Sequence, residues 1–190
     1  MRLVIGVLAA VLILSGTTAA QPEYIGIFSD TRGCPCEIVD RAPGVINIVV
    51  LHLQSSGAKA SQFSVPQPNC FNATFLFDTA VFPITLGASQ TGIAISYEQC
   101  MTGTFQILSM TYFGQGTTWP CCTIDVRPDP YALSGNIDIY DCNDQLQLGY
   151  GWADIINSDS TCPCTAGLEY CYPVAVEEHT WGKIKSLYSS

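Results

Sequence analysis

Gln145-Leu146-Gln147-Leu148-Gly149-Tyr150-Gly151-Trp152 is the stretch whose pattern decides the fold. A large apolar side chain occupies every second position, with Gln or Gly between. A period of two marks a strand, because successive side chains point to opposite faces of a sheet. Leu146, Leu148, Tyr150 and Trp152 therefore share one face, and the alternation assigns Tyr150 and Trp152 to the core. The pattern recurs along the chain. Phe105 and Ile107 flank Gln106, and Ile93, Ile95 and Tyr97 alternate with Ala94 and Ser96. Phe75 and Phe77 follow Thr74, while Ile137 and Ile139 alternate with Asn136, Asp138 and Tyr140. Val45 to Leu53 is different: it is apolar at nearly every position, Asn47 and His52 excepted, as expected of a central strand covered on both faces.

Nine strands and a weaker tenth, 81–86, are expected, near residues 23–28, 44–54, 60–65, 73–77, 81–86, 91–98, 103–112, 122–126, 135–140 and 145–155. Turn-forming runs separate them, among them Ser55-Ser56-Gly57, Pro66-Gln67-Pro68-Asn69, Gly114-Gln115-Gly116, Arg127-Pro128-Asp129-Pro130 and Cys142-Asn143-Asp144. Short strands, polar turns and no long amphipathic helix between them predict an all-β chain. An antiparallel β-sandwich, Ig-like or jelly-roll-like, is the expected architecture, with a barrel as its competitor.

The N-terminus has the layout of a cleavable signal peptide over residues 1–20: Met1-Arg2, an apolar run from Leu3 to Leu14, then small residues ending in Ala19-Ala20. The run is too short for a membrane span, which needs about 20 residues. The expected location is periplasmic or extracellular. Loss of Arg2 leaves six basic against sixteen acidic residues, a net charge of −10. Such a surface excludes nucleic acid and anionic lipid as partners, because both are held by Lys and Arg. Charged residues are only 12% of the chain, against about 25% in ordinary domains.

All ten cysteines follow the signal segment: Cys34, Cys36, Cys70, Cys100, Cys121, Cys122, Cys142, Cys162, Cys164 and Cys171. An even number behind an export signal implies disulfides rather than metal ligands. The two Cys-x-Cys pairs are too tightly spaced for the usual zinc motifs, and no Cys-x-x-Cys redox spacing occurs. Vicinal cysteines and Cys-Pro-Cys steps cannot bridge internally without strain, so each member requires a distant partner. The cysteine-stapled domain is assigned to residues 21–171, followed by a linker and short tail over 172–190. In that tail Thr180 fits a helix cap, and Trp181, Ile184, Leu187 and Tyr188 share one helical face, with Lys183 and Lys185 near its end. A frayed terminus is the alternative.

The opening Tyr24-Ile25-Gly26-Ile27-Phe28-Ser29-Asp30-Thr31-Arg32-Gly33-Cys34, the mid-chain Ala60-Ser61-Gln62-Phe63 and the closing Thr180-Trp181-Gly182-Lys183-Ile184-Lys185 resemble a family of uncharacterised secreted, cysteine-containing, β-rich proteins predicted from environmental bacterial genomes. The resemblance implies secretion and a β-rich domain but supplies no activity or ligand. Cys34-Pro35-Cys36 carries one cysteine more than the family pattern.

No catalytic constellation is visible. His52 lies in a strand, His179 lies in the tail, and no Gly-x-Ser-x-Gly elbow occurs. The sequence therefore predicts a non-catalytic binding, adhesive or structural module, with carbohydrate or another surface protein as partner. The alternative is a secreted hydrolase, acting on glycan or peptide, whose site no motif marks. Phe113 and Trp119 flank a glycine-rich loop and are the candidate ligand-stacking aromatics. No cofactor is implied beyond a weak calcium candidate at Asp138, Asp141 and Asp144, whose oxygens suit Ca²⁺ but whose spacing fits no EF-hand. Asp141 to Asp144 equally suit a polar hairpin turn. Asn72-Ala73-Thr74 is a glycosylation sequon.

Overall fold

The computed structural model describes residues 22–33 and 38–163. Eight strands run in the order β1 (Glu23–Phe28), β2 (Pro43–Phe63), β3 (Ala73–Ala80), β4 (Ile84–Ala88), β5 (Gly92–Gln115), β6 (Cys122–Asp125), β7 (Ile137–Asp141) and β8 (Leu146–Ile156). Four segments expected as separate strands have merged into two long ones. Residues 44–54 and 60–65 fall largely in β2, while 91–98 and 103–112 fall in β5. The polar and glycine residues between them do not turn the chain around. They mark bulges, with Gln54 at φ 48° and Gly57 at φ 147° in β2, and Glu98 at φ 62° and Gly103 at φ 80° in β5. The β2–β5 register slips between Val50 and Ala60 accordingly. A bulge bends its strand and increases twist, and here it lets one pair of strands serve both layers of a sandwich.

In the first layer, β2 up to Leu53 and β5 from Phe105 onward are flanked by β1 and β3. In the second layer, β2 from Ala58 and β5 up to Met101 are flanked by β7 and β4. β8 joins the layers, pairing with β7, β6 and β1. Every ladder is antiparallel except β1–β8, which is parallel. Because β1 pairs with both β2 and β8, part of the rim is closed, which is why the sequence pattern also suited a barrel. The two layers meet in one core: Ile48, Val50, Met110 and Tyr112 from the first, Phe63, Ile93, Ile95 and Ile139 from the second. The chain is thus an all-β, disulfide-stapled β-sandwich.

Among the described residues, three bridges tie the frame: Cys70–Cys122, Cys100–Cys142 and Cys121–Cys162, spanning 52, 42 and 41 residues. The vicinal pair Cys121-Cys122 thus reaches two separate partners. Bridges of this kind each stabilise a small secreted domain by about 2–5 kcal/mol and belong to an oxidising compartment. Cys34, Cys36, Cys164, Cys171, the signal segment and the C-terminal tail lie outside the described residues.

The sharpest departure from expectation concerns β8. Its alternation is real, but the large side chains of its first half, Leu146, Leu148 and Tyr150, point outward. Leu148 is 55% and Tyr150 54% exposed, so Tyr150 is no core residue, and Trp152 is half-buried. Glycine explains the inversion. A Cβ at Gly149 would stand 2.7 Å from Ile139 Cδ1 and 2.8 Å from Ile137 Cγ2, and one at Gly151 would overlap the carbonyl oxygen of Val126. At Gly149 and Gly151 the inner side of β8 is packed too closely for a side chain, so Leu148 and Tyr150 take the other face.

Candidate binding face

The outer face of the second layer presents its side chains in two straight rows. Strand pairing aligns Ile84, Ser96, Ala60, Tyr140 and Leu146 across β4, β5, β2, β7 and β8. It aligns Leu86, Ala94, Gln62, Asp138 and Leu148 in the next row. Small residues on the central strands leave a shallow apolar groove of about 140 Å³, walled by Ile84 and Leu86 on one side and Tyr140 on the other. Leu86 is 72% exposed, and Ile84, Tyr140 and Leu146 are also exposed. The loop after β6 adds to this surface. Asp129 accepts a hydrogen bond from Gln62 Nε2 at 2.8 Å and one from the Tyr131 amide at 2.8 Å. Tyr131 and Leu133, further along this loop, are exposed. Scattered exposed apolar side chains are ordinary, but a contiguous set on one face marks an interaction surface.

At the β1 end, Tyr150 packs on Tyr24 with ring centroids 5.6 Å apart, and the face runs into a cavity of about 480 Å³. Glu23, Ser56, Asp141, Gln147, Leu148 and Tyr150 contribute to its wall. The Glu23 carboxylate is buried and fully engaged. Its Oε1 accepts from the Ser56 amide at 3.0 Å and the Ser56 hydroxyl at 2.7 Å, and its Oε2 lies 2.8 Å from His52 Nε2. Behind it, His52 Nδ1 lies 3.1 Å from the Tyr97 hydroxyl, which donates to Ser61 Oγ at 2.7 Å. This chain of polar groups crosses the core with each member partnered, as buried polar groups require. Burial pushes the Tyr97 phenol well above its usual range, against the pull of the Ser61 bond. Burial also raises the Glu23 pKa, but the His52 and Ser56 hydrogen bonds outweigh it and hold the carboxyl below its usual value.

A carboxylate whose pKa is lowered by folding stabilises the fold at pH above its unfolded value, and that contribution disappears as pH falls through the folded one. Acid should therefore lower the Tm of the wild-type chain more steeply than that of Glu23→Gln, which has no carboxylate to titrate there. Thermal melts from neutral pH down to about pH 3 check this; parallel curves for the two proteins would refute it.

The other residues singled out in the sequence are spread over the molecule. Trp119 is 75% exposed and borders a cavity of about 480 Å³ with Asn69, Asn72 and Thr117. Phe113 is 40% exposed on β5, paired with Val45 and Thr74, and does not line that cavity. The sequon residue Asn72 is exposed, and its side chain donates to Thr117 Oγ1. The calcium candidates each have separate partners. Asp138 accepts from Ser134 Oγ, and Asp144 pairs with Lys59. Asp141 Oδ1 accepts from the amides of Asn143 and Gln145 at 2.7 and 2.9 Å. Those bonds, the Gln145 amide foremost, hold the Asp141 carboxyl below its ordinary value and shape the β7–β8 hairpin turn. Among the described residues, the one cluster of three metal-ligating types is Cys121, Asp159 and Cys162. Its two sulfurs are bonded to each other and are not available as thiolates.

The residues of the open face were not singled out from sequence. One signal was present: the glycines of Leu-Gly-Tyr-Gly-Trp sit where a half-buried strand would normally place its inward side chains.

No family model matches this chain, and no curated protein matches it. Solved structures of cohesin modules share its fold class. A non-cellulosomal cohesin from the archaeon Archaeoglobus fulgidus is 10% identical, with a TM-score of 0.49 over 72% of this chain and 91% of that one. The sixth cohesin of Acetivibrio cellulolyticus scaffoldin B, solved in complex with the Cel5 dockerin, is 9% identical, with a TM-score of 0.49 over 73% of this chain and 100% of that one. A type II cohesin domain from the cellulosome of the same organism is 10% identical, again at 0.49, over 72% and 96%. Likeness at this level leaves the partner of this chain to be argued from its own surface. Among the described residues, no helix is long and apolar enough to cross a membrane.

Proposed function

We propose that this chain is an exported, non-catalytic module that binds a protein partner through the open face of β4, β5, β2, β7 and β8. The observation that carries the proposal is the in-register exposure of Ile84, Leu86, Tyr140, Leu146, Leu148 and Tyr150 on one sheet face. A broad apolar surface bearing tyrosines, crossed in its second row by Gln62 and Asp138, has the character of a protein interface, where apolar and aromatic side chains carry most of the binding energy. A sugar site would instead need several polar side chains converging in a concavity. The buried Glu23–His52–Tyr97–Ser61 chain supports a structural role, because both histidine nitrogens are already occupied within the core.

A photo-cross-linking side chain at position 148 tests this, using the full chain exported by its native host. Position 123, exposed on β6, is the control. The expected result is one specific protein adduct from position 148, absent from position 123 and lost in Tyr140→Asp. Adducts equal at both positions would overturn the proposal, as would a glycan adduct at position 148.

A further inference from the structure

Trp119 stands 75% exposed, although tryptophan buries most of its surface on average. A loose loop is not the reason. Thr118, just before it, is buried. Its hydroxyl donates to Asp40 Oδ2 and accepts from the Asn72 amide at 3.0 Å, and its carbonyl accepts from Asn157 Nδ2 at 2.9 Å. The Gly116 amide donates to Asp40 Oδ1 at 2.7 Å. On the other side, Pro120 restricts the Trp119 backbone to extended conformations, and Cys121 and Cys122 are bonded to Cys162 and Cys70. The indole is thus held outward by a loop fixed at both ends. The Cys70–Cys122 bridge also draws the segment Asn69–Asn72 to this loop, and the Gln115 amide donates to the Asn72 carbonyl at 3.3 Å. Together Asn69, Phe71, Asn72, Thr117 and Trp119 line the cavity of about 480 Å³, inside the range of about 300–1,000 Å³ usual for small-ligand sites. Asn69, Asn72 and Thr117 are exposed around it. The bond from Asn72 Nδ2 to Thr117 Oγ1 engages one amide hydrogen. A side-chain amide has a second hydrogen and a carbonyl oxygen to offer, and the threonine hydroxyl keeps its own proton to donate.

We propose that this cavity is a carbohydrate site, in which a neutral pyranose ring stacks on Trp119 while its hydroxyls bond to Asn69, Asn72 and Thr117. A pyranose has the matching chemistry. The C–H bonds on one of its faces meet the negative face of the indole. The hydroxyls around its rim both donate and accept, as two amides and a threonine require. An anionic ligand would find no cation among the lining residues and would be repelled by the chain's net charge of −9. A purely apolar ligand would strip water from three polar side chains without replacing it. The rigid loop adds affinity, because little ordering remains to be done on binding. None of the lining residues belongs to the two rows of the open face, so this site is separate from the protein-binding surface. Asn72 also begins the sequon Asn72-Ala73-Thr74, and the pyranose therefore has two sources to be told apart: a separate glycan, or one attached to Asn72 itself.

An array of neutral glycans, probed with the full oxidised chain made in a host that does not glycosylate it, tests the site. At least one glycan should bind. Its affinity should fall about ten-fold or more in Trp119→Ala, recover in Trp119→Phe, and stay unchanged in Tyr131→Ala, a comparably exposed aromatic in another loop. The Tm of Trp119→Ala should move by less than about 3 °C, which separates lost binding from lost folding. A blank array would overturn the inference, as would binding insensitive to Trp119→Ala or equally reduced in Tyr131→Ala. The intact mass of the natively exported chain distinguishes the sources: a sugar increment that disappears in Thr74→Val places the glycan on Asn72, and the bare peptide mass assigns it to a separate molecule. The protein adduct at position 148 should persist in Trp119→Ala, so the two binding readings fail independently.

Discussion

Gly151→Ala is expected to destabilise the fold by about 3 kcal/mol, although Gly151 lies on a sheet surface and alanine is ordinarily harmless there. The added methyl would overlap the Val126 carbonyl oxygen and lie 3.1 Å from Ile137 Cδ1. Backbone cannot swing aside as a long side chain can, so the β6–β8 ladder from Asp125↔Ala153 onward must shift. Leu148→Gln, next to Gly149 and on the opposite face, should change stability by less than about 0.5 kcal/mol. Denaturant unfolding of the two variants gives the comparison. If Leu148→Gln were the more damaging, β8 would be facing the other way and the open face would not exist.

His52→Leu is the second large effect, expected to cost about 3–5 kcal/mol. Leucine fills the space but cannot hydrogen-bond. Glu23 Oε2 would lose its partner 2.8 Å away and the Tyr97 hydroxyl its neighbour at 3.1 Å, leaving a buried carboxylate supported by Ser56 alone. Ring packing would be lost as well, since His52 lies 5.1 Å from Phe105 and 5.9 Å from Tyr97. Adding Glu23→Gln should recover part of the loss, because a neutral amide tolerates the missing partner better than a charge does. Chemical denaturation of both single variants and the double variant measures the coupling; strict additivity would show that the two side chains do not act together.

What could be read from the sequence was the strand content, and what could not was the side of each strand that faces inward. Period-two alternation reports that a strand has two unlike faces. It does not say which is inside, and the usual assumption that large means buried failed for Leu148 and Tyr150. The tight approach of Val126, Ile137 and Ile139 to Gly149 and Gly151 is a tertiary fact. Turn chemistry failed for a related reason at Ser55-Ser56-Gly57. The same backbone freedom that reverses a chain also makes a bulge, and only the pairing of β2 with β5 on both sides of it distinguishes them. Ile48–Leu53 was legible because continuous apolarity has one simple cause, burial on both faces; the expected stretch began too early, since Val45 is 64% exposed. The polar chain through Glu23, His52, Tyr97 and Ser61 was invisible, since its members come from β1, β2 and β5 and share no spacing. The candidate aromatics Phe113 and Trp119 are exposed, as loop-flanking residues should be, yet they lie apart from the larger apolar surface.

Hydroxyl-radical footprinting of the tyrosines in the free, oxidised protein tests the central claim most directly, because the same residue type occurs on every surface in question. Tyr140 and Tyr150 should be modified readily, approaching the rate of Tyr131, which stands free in its loop. Tyr97 and Tyr112, each 1% exposed or less, should be protected, and Tyr112, whose pKa burial pushes up to about 12, should ionise late in a spectrophotometric titration. Protection of Tyr140 and Tyr150 at the level of Tyr97 would contradict the account, since the face assigned to a partner would already be closed.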